Sequence, residues 1–385
     1  MKRMPKRTRT PPPGKLIYAA SESCADMLYA TGLMTPDPFI WYSTPAGSGM
    51  VVAPLELGRA QKQAKLGTTV LSTAAARKLW SVPTDKNTAA DLLAALAIHS
   101  GVRSWAVPTD FPLGLARKLQ RRGMALKPTN PFFAQRSRKD ATEVERIREG
   151  VRLAEAGLTR ALGILRDSSV NADGCLVWDG ETLTAERLRG EVDAEIARRG
   201  GTASHTITAP GTQGADPHQA GHGIIQAGAP IVLDIFPRVD RTGYFGDLTR
   251  TVVKGQAPEI VRQAYNIVQQ AQRRAIDTVR AGIPAGSVHQ AALDVLDTSG
   301  FKTHRQANPP YGFFHSTGHG LGLEIHEGPR LSEGMELPLE AGNVVTVEPG
   351  LYYQDWGGVR LEDVVVVTDD GCENLTQAEF ILELP

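Results

Sequence analysis

Four acidic residues lie within runs of sequence that otherwise look like β-strands. Asp234 lies in IVLDIF, Asp247 in YFGDLTRTVV, Glu348 in NVVTVEPG and Glu362 in GVRLEDVVVV. Acidic residues are depleted in strands, and an ionised carboxylate in an apolar layer costs several kcal/mol unless a cation or a proton offsets its charge. The first chemistry that this set predicts is therefore the binding of two metal ions.

The two acid-bearing segments follow the same plan. Each has a strand with an acid, a connection that contains Gly or Pro, and a second strand with an acid, at nearly equal spacing. This likeness predicts a duplicated half-domain, in which two facing hairpins bring four carboxylates together. The alternative is that the acids form surface ion pairs with Arg250, Arg360 and Lys254, which would suit one such acid better than four.

A histidine cluster lies between the two segments, in FFHSTGHGLGLEIHEGP, and contains His315, His319 and His326. Its glycines at 318, 320 and 322 predict a close approach of the backbone to a ligand or a metal. A nucleotide-binding loop is disfavoured because no Lys-Ser or Lys-Thr follows the glycines. One imidazole from this cluster would complete a set of ligands.

Four carboxylates and one imidazole balance the charge of two divalent cations. Oxygen-rich ligation with one nitrogen favours Mn²⁺, with Co²⁺, Fe²⁺ or Zn²⁺ as alternatives. Two such ions lower the pKa of a shared water and polarise a carbonyl group, which is the chemistry of hydrolysis.

The composition narrows the classes of protein further. Lys and Arg total 42 and Asp and Glu total 42, so the overall charge suggests neither a nucleic-acid nor a membrane partner. The tail of residues 1–15 is basic and proline-rich and is predicted to be a disordered arm, with a binding tail as the alternative. No apolar stretch that could serve as a signal-peptide core or a membrane span follows it. Cys24, Cys175 and Cys372 are odd in number and far apart, so we expect free thiols and a cytoplasmic location.

The chain of 385 residues predicts two domains. Residues 1–137 alternate strand-like and helical runs and are expected to form a small α/β domain; residues 138–385 contain all the candidate site residues. A helix is predicted to start at Asp140, capped together with Glu143. Two more are predicted, one from Pro258 to a stop at Gly282 and one from a capping box at Ser287 to about residue 300.

The C-terminal region resembles the pita-bread metallopeptidases, the family that includes prolidase, aminopeptidase P and methionine aminopeptidase. The motifs that carry the resemblance follow the order of the family, from about residue 140 to the C-terminus: VLDIFP, GDLTRT, HSTGHGLGLEIHEGP, VEPGLYY and GVRLEDVVVV. The resemblance implies an α+β pita-bread catalytic domain with pseudo-duplicated halves, preceded by a smaller α/β domain.

The resemblance also implies ligand roles for the acids. Asp234 would bind one metal ion, Asp247 and Glu362 would bridge both, and His319 and Glu348 would bind the other. Glu348 would also act as general base toward a metal-bridging hydroxide.

Other residues are expected to contact the substrate. The resemblance implies that His218 lies near the scissile bond and that His315 and His326 orient the substrate and stabilise the tetrahedral intermediate. His222 follows His218 closely and is an alternative to it.

Arg360 precedes Glu362 on the same face of its strand. It could receive a substrate carboxylate, or it could be a structural partner of Asp363 or of a metal-binding acid. Tyr352 and Tyr353 follow Glu348 and could contact substrate or pack in the core.

Within the family, the N-terminal domain and the total length favour a Xaa-Pro dipeptidase that acts on small proline-containing peptides. Xaa-Pro aminopeptidase is the alternative, followed by methionine aminopeptidase and a metal-free pita-bread binding module. The resemblance also implies a homodimer or a larger homo-oligomer.

Overall fold

The structure, a computed structural model, describes residues 13–203 and 205–385. Most of the predicted disordered tail, residues 1–12, lies outside this described part. The chain divides into two units, one that ends at Ala134 and one that spans Gln135–Pro385.

The first unit is built on a mixed six-stranded sheet with helices between its strands. The elements are β1 (Gly14–Ala19), α1 (Ala25–Thr31), β2 (Phe39–Thr44), β3 (Gly47–Val52), α2 (Leu57–Gln63), β4 (Thr68–Ser72), α3 (Thr73–Leu79), α4 (Ala89–Ser100), β5 (Ser104–Pro108), α5 (Leu113–Gln120) and β6 (Ala125–Thr129). Short apolar runs such as KLIYA in β1 and FIWYST in β2 form the strands, and β2 and β3 make a hairpin. The strand order is β4-β3-β2-β1-β5-β6.

The second unit has four helices and sixteen strands among its described residues. They are α6 (Ala141–Asp167), β7 (Ser169–Val170), β8 (Leu176–Trp178), β9 (Glu181–Thr182), α7 (Ala185–Arg198), β10 (Gly201–Thr202), β11 (Ile207–Pro210), β12 (Pro230–Asp234), β13 (Arg238–Val239), β14 (Thr249–Lys254), α8 (Glu259–Thr278), α9 (Ala285–Asp297), β15 (Gly318–Gly320), β16 (Glu327–Leu331), β17 (Val344–Val347), β18 (Gly350–Tyr353), β19 (Gly357–Arg360), β20 (Asp363–Val367), β21 (Cys372–Asn374) and β22 (Glu383–Leu384).

These elements form two similar halves, each with a pair of helices packed on a sheet. The first half places α6 and α7 against the sheet β11-β12-β14-β22, and the second places α8 and α9 against the sheet β16-β15-β17-β20-β21. An antiparallel pair lies at the centre of each, β12 with β14 and β17 with β20. The duplicated plan of the sequence is therefore a duplicated plan of the fold.

Strand alternation decides on which face of each sheet the acids lie. Ile231 and Leu233 of β12 pack into the core under α6 and α7, and Val345 and Val347 of β17 pack under α8 and α9. Because successive side chains point to opposite faces, position 234 faces away from its helices, as does position 348 beyond the end of β17. The helices thus cover the apolar face and leave the opposite face to the carboxylates.

The predicted helix boundaries are partly right. Asp140 caps α6 with its side chain and Glu143 completes the capping box. Helix α8 starts after Pro258 but ends at Thr278, before the predicted stop at Gly282. Ser287 lies inside α9 rather than at its cap. The first donors of α9 bond to backbone oxygens of the 335–337 segment, so no capping side chain is needed.

No described helix of the chain is both long enough and apolar enough to cross a membrane.

Helix α6 contacts the loop before Asp247 through Gly150, which gives a test of this packing. A Cβ atom added at Gly150 would lie 2.4 Å from the backbone nitrogen of Gly246. We expect Gly150→Ala to lower the free energy of unfolding by about 1–3 kcal/mol, because the backbone must move to relieve the overlap. Chemical denaturation measures this change.

Gly163 is the matched control in the same helix, since a Cβ there meets no atom within 4 Å. Gly163→Ala is expected to raise the free energy of unfolding by about 0.5–1 kcal/mol. Equal effects of the two substitutions would contradict the packing described.

Candidate metal centre

The four acids lie at the ends of the two central strand pairs. Asp234 is the last residue of β12, Asp247 precedes β14, Glu348 follows β17 and Glu362 precedes β20. The expectation that all four lie inside strands is thus wrong for three of them. Residues at strand ends can turn their side chains inward without breaking the ladder of backbone hydrogen bonds.

The two strand pairs bring their acids together around His319. The ligand atoms of Asp247, His319 and Glu362 all lie within 4.8 Å of one another. The Nε2 atom of His319 is 3.7 Å from Oδ2 of Asp247 and 3.4 Å from Oε1 of Glu348. Asp247 comes from the first half of the unit, and His319, Glu348 and Glu362 come from the second half.

Burial and mutual repulsion together disfavour the ionisation of three of the acids. Burial, followed by the charges of Glu362, Asp234 and Glu348, raises the pKa of Asp247 well above its usual range. Burial and the charges of Glu348 and Asp234 raise the pKa of Glu362 in the same way. Burial raises the pKa of Glu348 to about 8, against the opposing charge of Arg360. Each shift has the sign expected for carboxylates that share a dry site.

His319 is held as a neutral imidazole with one nitrogen available. Its Nδ1 atom lies 3.1 Å from the carbonyl oxygen of Gly320, which can only accept a hydrogen bond. Nδ1 therefore carries the proton, and the lone pair of Nε2 faces Asp247 and Glu348. Burial and the neighbouring His326 lower the pKa of His319 to about 3, which keeps the ring neutral.

Glu362 has one oxygen bonded and one without a partner. The hydroxyl of Thr249 donates to Oε2 at 2.6 Å. Oε1 is buried and has no hydrogen-bond partner among the described residues. A buried carboxylate oxygen without a donor is costly unless a cation contacts it. With four acids around one neutral imidazole, the donor set fits the divalent cations that the sequence predicts.

Arg360 donates its hydrogen bonds inside the protein. Its NH2 atom lies 2.6 Å from Oδ2 of Asp234, and its NH1 atom lies 3.0 Å from the hydroxyl of Tyr352. That hydroxyl lies 2.9 Å from Nε2 of His315, and Nδ1 of His315 lies 2.7 Å from the carbonyl oxygen of Ser316. Because the Ser316 carbonyl oxygen can only accept, Nδ1 of His315 carries the proton and Nε2 accepts a hydrogen bond from the Tyr352 hydroxyl. That hydroxyl in turn accepts a hydrogen bond from Arg360.

The remaining histidines lie on the exposed side of this cluster. The rings of His326 and His319 meet edge to face, with centroids 4.4 Å apart. His218 is exposed, and its charge helps lower the pKa of both His315 and His326. His222 is also exposed, and its backbone forms hydrogen bonds with the side chain of Gln213.

Tyr353 packs away from the acids. Its hydroxyl donates to the carbonyl oxygen of Lys302, and its ring stacks on Trp356.

The glycines of the histidine cluster approach neighbouring backbone. A Cβ atom at position 318 would lie 1.9 Å from the carbonyl oxygen of Thr346, and one at position 320 would lie 2.3 Å from that of Gly328. The expectation that these glycines bring backbone close to a ligand or metal is therefore corrected. They let β15 pack tightly between β16 and β17, which fixes His319.

Arg330 was missed from the sequence, and Arg250 was considered there only as a surface ion-pair partner of the acids. Arg330 pairs with His319 across β15 and β16 and is exposed, and its charge helps lower the pKa of His319, His326 and Glu348. Its position four residues after His326 is the signal that could have identified it. Arg250 is buried and pairs with Asp363 at 2.8 Å. The sequence had offered Asp363 to Arg360 instead.

The raised pKa values predict how pH affects the protein stripped of divalent cations. An unfolded carboxyl group titrates near about 4, whereas Glu348 in the folded protein titrates at about 8. The folded state therefore binds more protons through Glu348 in this window. Below about pH 6.5 the lowered pKa values of His315 and His319 act in the opposite direction, so the loss of stability is expected as pH rises from about 7 to about 8.5. Thermal unfolding in the presence of a chelator should show a falling Tm over that range.

The control for this measurement is Glu348→Gln, which removes one of the titrating groups. The variant should show a shallower fall of Tm than the parent chain. A Tm that is flat or rises over the same range in the stripped parent protein would contradict the shared-site electrostatics.

Known proteins resemble this chain in sequence and in fold. The Xaa-Pro dipeptidase of Pyrococcus furiosus is 36% identical over 215 residues, which cover 54% of this chain and 59% of that protein. The Xaa-Pro dipeptidase of Pyrococcus horikoshii is 29% identical over 286 residues, 72% of this chain and 74% of that protein. The X-Pro aminopeptidase from Thermotoga maritima superposes with a TM-score of 0.81 over 97% of each chain, at 23% identity.

The profile of Metallopeptidase family M24 matches residues 145–369, which include all ten predicted site residues. The predicted fold class is confirmed: an N-terminal α/β sheet unit accompanies an α+β catalytic unit, as in prolidase and aminopeptidase P structures. The family implies divalent metal ions, and the buried group of Asp247, His319 and Glu362 suits a metal site. The chain belongs to the M24 family of pita-bread metallopeptidases and is similar to Xaa-Pro dipeptidases in sequence and to X-Pro aminopeptidase in fold.

Proposed function

We propose that this metallopeptidase hydrolyses the Xaa-Pro bond of dipeptides. The observation that carries the proposal is the buried cluster of Asp247, His319 and Glu362, with the exposed cation of Arg330 beside it. A dipeptide with a free C-terminal carboxylate has its scissile carbonyl only a few bonds from that negative charge. A metal centre with a cation next to it can recognise both groups at once.

The five candidate ligands would hold two divalent cations, with Mn²⁺ favoured by the oxygen-rich set and Co²⁺ or Zn²⁺ as alternatives. Asp247 and Glu362, the two most buried of the four acids, would contribute to the binding of both ions. Asp234 would add to the binding of one ion, and His319 with Glu348 would add to the binding of the other. When bound, such ions lower the pKa of a water molecule and polarise a carbonyl oxygen.

Glu348 is our candidate general base. Its carboxylate lies at the edge of the cluster, 3.4 Å from the His319 ring, and is less buried than Asp247 or Glu362. A carboxylate in so dry a place accepts a proton readily. It would take the proton of the attacking water as the new C–O bond forms. It would then give that proton to the proline nitrogen as the C–N bond breaks.

His326 and His218 are our candidates for contacts with the scissile group. His326 lies against His319 and is open to solvent, so its free ring nitrogen can donate to the oxygen that becomes negative in the transition state. His218 acts electrostatically on both His315 and His326, which supports a position on the same side of the cleft. The pKa effects of His218 on this group favour it over His222.

Arg360, Tyr352 and His315 would act through the centre rather than on the peptide. The guanidinium of Arg360 is buried and bonded to Asp234, so it holds that carboxylate in place. Tyr352 is buried between Arg360 and His315, and both ring nitrogens of His315 have partners. The role of receiving the substrate carboxylate therefore passes from Arg360 to Arg330 in this proposal.

A panel of substrates tests the proposed function. In the presence of Mn²⁺, Co²⁺ or Zn²⁺ we expect Xaa-Pro dipeptides to be cleaved faster than Xaa-Pro-Xaa tripeptides, and peptides that begin with Met and lack proline to be cleaved slowest. A chelator should abolish turnover. Faster turnover of the tripeptides would favour the Xaa-Pro aminopeptidase alternative, and fastest turnover of the Met peptides would refute both.

Arg330→Met tests the recognition of the carboxylate. A hydrogen bond to a charged group contributes about 1.5–3 kcal/mol, so kcat/KM for a Xaa-Pro dipeptide should fall about 10- to 100-fold. The corresponding Xaa-Pro amide lacks the carboxylate and should be affected by less than about 3-fold. Steady-state kinetics on the two substrates provide the comparison.

Arg138→Met is the matched control, because Arg138 is an exposed arginine that pairs only loosely, at 3.9 Å, with Glu340. It should leave both substrates unchanged. If Arg330→Met weakened turnover of the acid and the amide equally, the assignment of Arg330 to the carboxylate would be wrong.

A further inference from the structure

A buried carboxylate that the proposed mechanism does not use lies directly beside His326. Glu327 is the first residue of β16, and its side chain is only 5% exposed. It pairs across the sheet with Gly320, the residue that follows His319. Glu327 thus directly follows His326, a candidate substrate contact. It also lies across the sheet from the residue that follows His319, a candidate metal ligand.

Two cations and one backbone donor surround this carboxylate. The NH2 atom of Arg136 lies 2.6 Å from Oε1, and Nζ of Lys139 lies 3.3 Å from Oε2. The backbone N–H of Glu324 donates to Oε1 at 3.0 Å. Lys139 is only 1% exposed, so its charge depends on Glu327 for compensation. Burial opposes the ionisation of Glu327, but Lys139 and Arg136 outweigh it and lower its pKa.

The loop that carries His326 wraps around the same carboxylate. A Cβ atom at Gly322 would lie 2.8 Å from Oε1 of Glu327, so the loop and the carboxylate are in tight contact. The other side of the loop is fixed by the backbone N–H of Phe245, which donates to the carbonyl oxygen of Gly322.

The pairing of β15 with β16 is irregular at this point. His319 pairs with Arg330 while Gly320 pairs with Glu327, so extra residues bulge out of β16 between the two pairs. Irregularities of this kind re-aim side chains, and they need fixed contacts to hold one geometry.

We propose that Glu327, held by Arg136 and Lys139, is a positioning residue that fixes His326 over the metal centre. The proposal rests on the proposed function for the role of His326 in catalysis. Because Glu327 and His326 are joined by one peptide bond, a shift of the Glu327 backbone on loss of the two-cation site would also move the base of the His326 side chain. A shift of about 1 Å at a reacting group can cost on the order of 100-fold in rate.

The test replaces the buried pair together, since Glu327→Gln alone leaves Lys139 uncompensated and can prevent folding. The double variant Glu327→Gln/Lys139→Met removes one charge of each sign. We expect it to fold, to bind Mn²⁺ as the parent does, and to lose about 10- to 100-fold in kcat with little change in KM.

Glu324→Gln is the control, because the Glu324 carboxylate pairs with the same Arg136 but is 57% exposed. It should change kcat by less than about 2-fold.

A double-mutant cycle with His326→Ala identifies the route of the effect. If Glu327 acts through His326, the Glu327→Gln/Lys139→Met change should cause almost no further loss in the His326→Ala background. An equal loss in both backgrounds, or loss of bound Mn²⁺ in the double variant, would overturn the proposal.

A crystal structure of the double variant gives a readout that does not depend on the reaction. The His326 ring should leave its edge-to-face contact with His319, whatever the substrate of the enzyme is. An unmoved ring would overturn the positioning role. Full activity of His326→Ala alone would show that His326 has no catalytic role, whereas an absence of Xaa-Pro hydrolysis by the parent protein would count against the proposed function.

Discussion

Mutual repulsion among four carboxylates is the interaction on which the rest of the catalytic unit depends. Asp234, Asp247, Glu348 and Glu362 lie in one largely buried cluster, and the buried guanidinium of Arg360 donates to the carboxylate of Asp234. Burial and repulsion together raise the pKa values of three of the acids. Divalent cations would remove the repulsion, offset the unpaired oxygen of Glu362 and supply the chemistry of hydrolysis, so the same constraint would explain all three.

The scaffold keeps the acids together by joining its two halves beside Glu362. The backbone N–H of Glu362 donates to the carbonyl oxygen of Thr249, and the Thr249 hydroxyl donates to its carboxylate. The buried guanidinium of Arg250 donates to the carbonyl oxygens of Thr249 and Glu362 and to the carboxylate of Asp363. The two helix pairs hold the outer faces of the sheets. The acids therefore cannot separate without breaking buried hydrogen bonds, each of which would leave an unsatisfied group.

Features of the site that depend on local spacing could be predicted from the sequence. The acids in strand-like runs, the histidine cluster and the capping box at Asp140 are all patterns within a few residues, and the near-equal spacing of the acids indicated the duplicated halves. Features that depend on distant residues could not be predicted in this way. Arg136 and Glu327 are far apart in sequence, and nothing near either of them indicates that they meet. The tight backbone contacts of Gly318 and Gly320 and the backbone capping of α9 likewise depend on neighbours brought in by the fold.

The central claim is that this cluster holds two divalent cations, and counting bound metal tests it most directly. The purified chain would be dialysed to equilibrium against Mn²⁺ and its metal content measured by elemental analysis, beside a Glu362→Gln variant. Two ions per chain in the parent and fewer than two in the variant are the predicted result, because the buried Glu362 carboxylate, with one unpartnered oxygen, would be a ligand of the cluster. Less than one ion per chain in the parent, or the same number in both proteins, would contradict it.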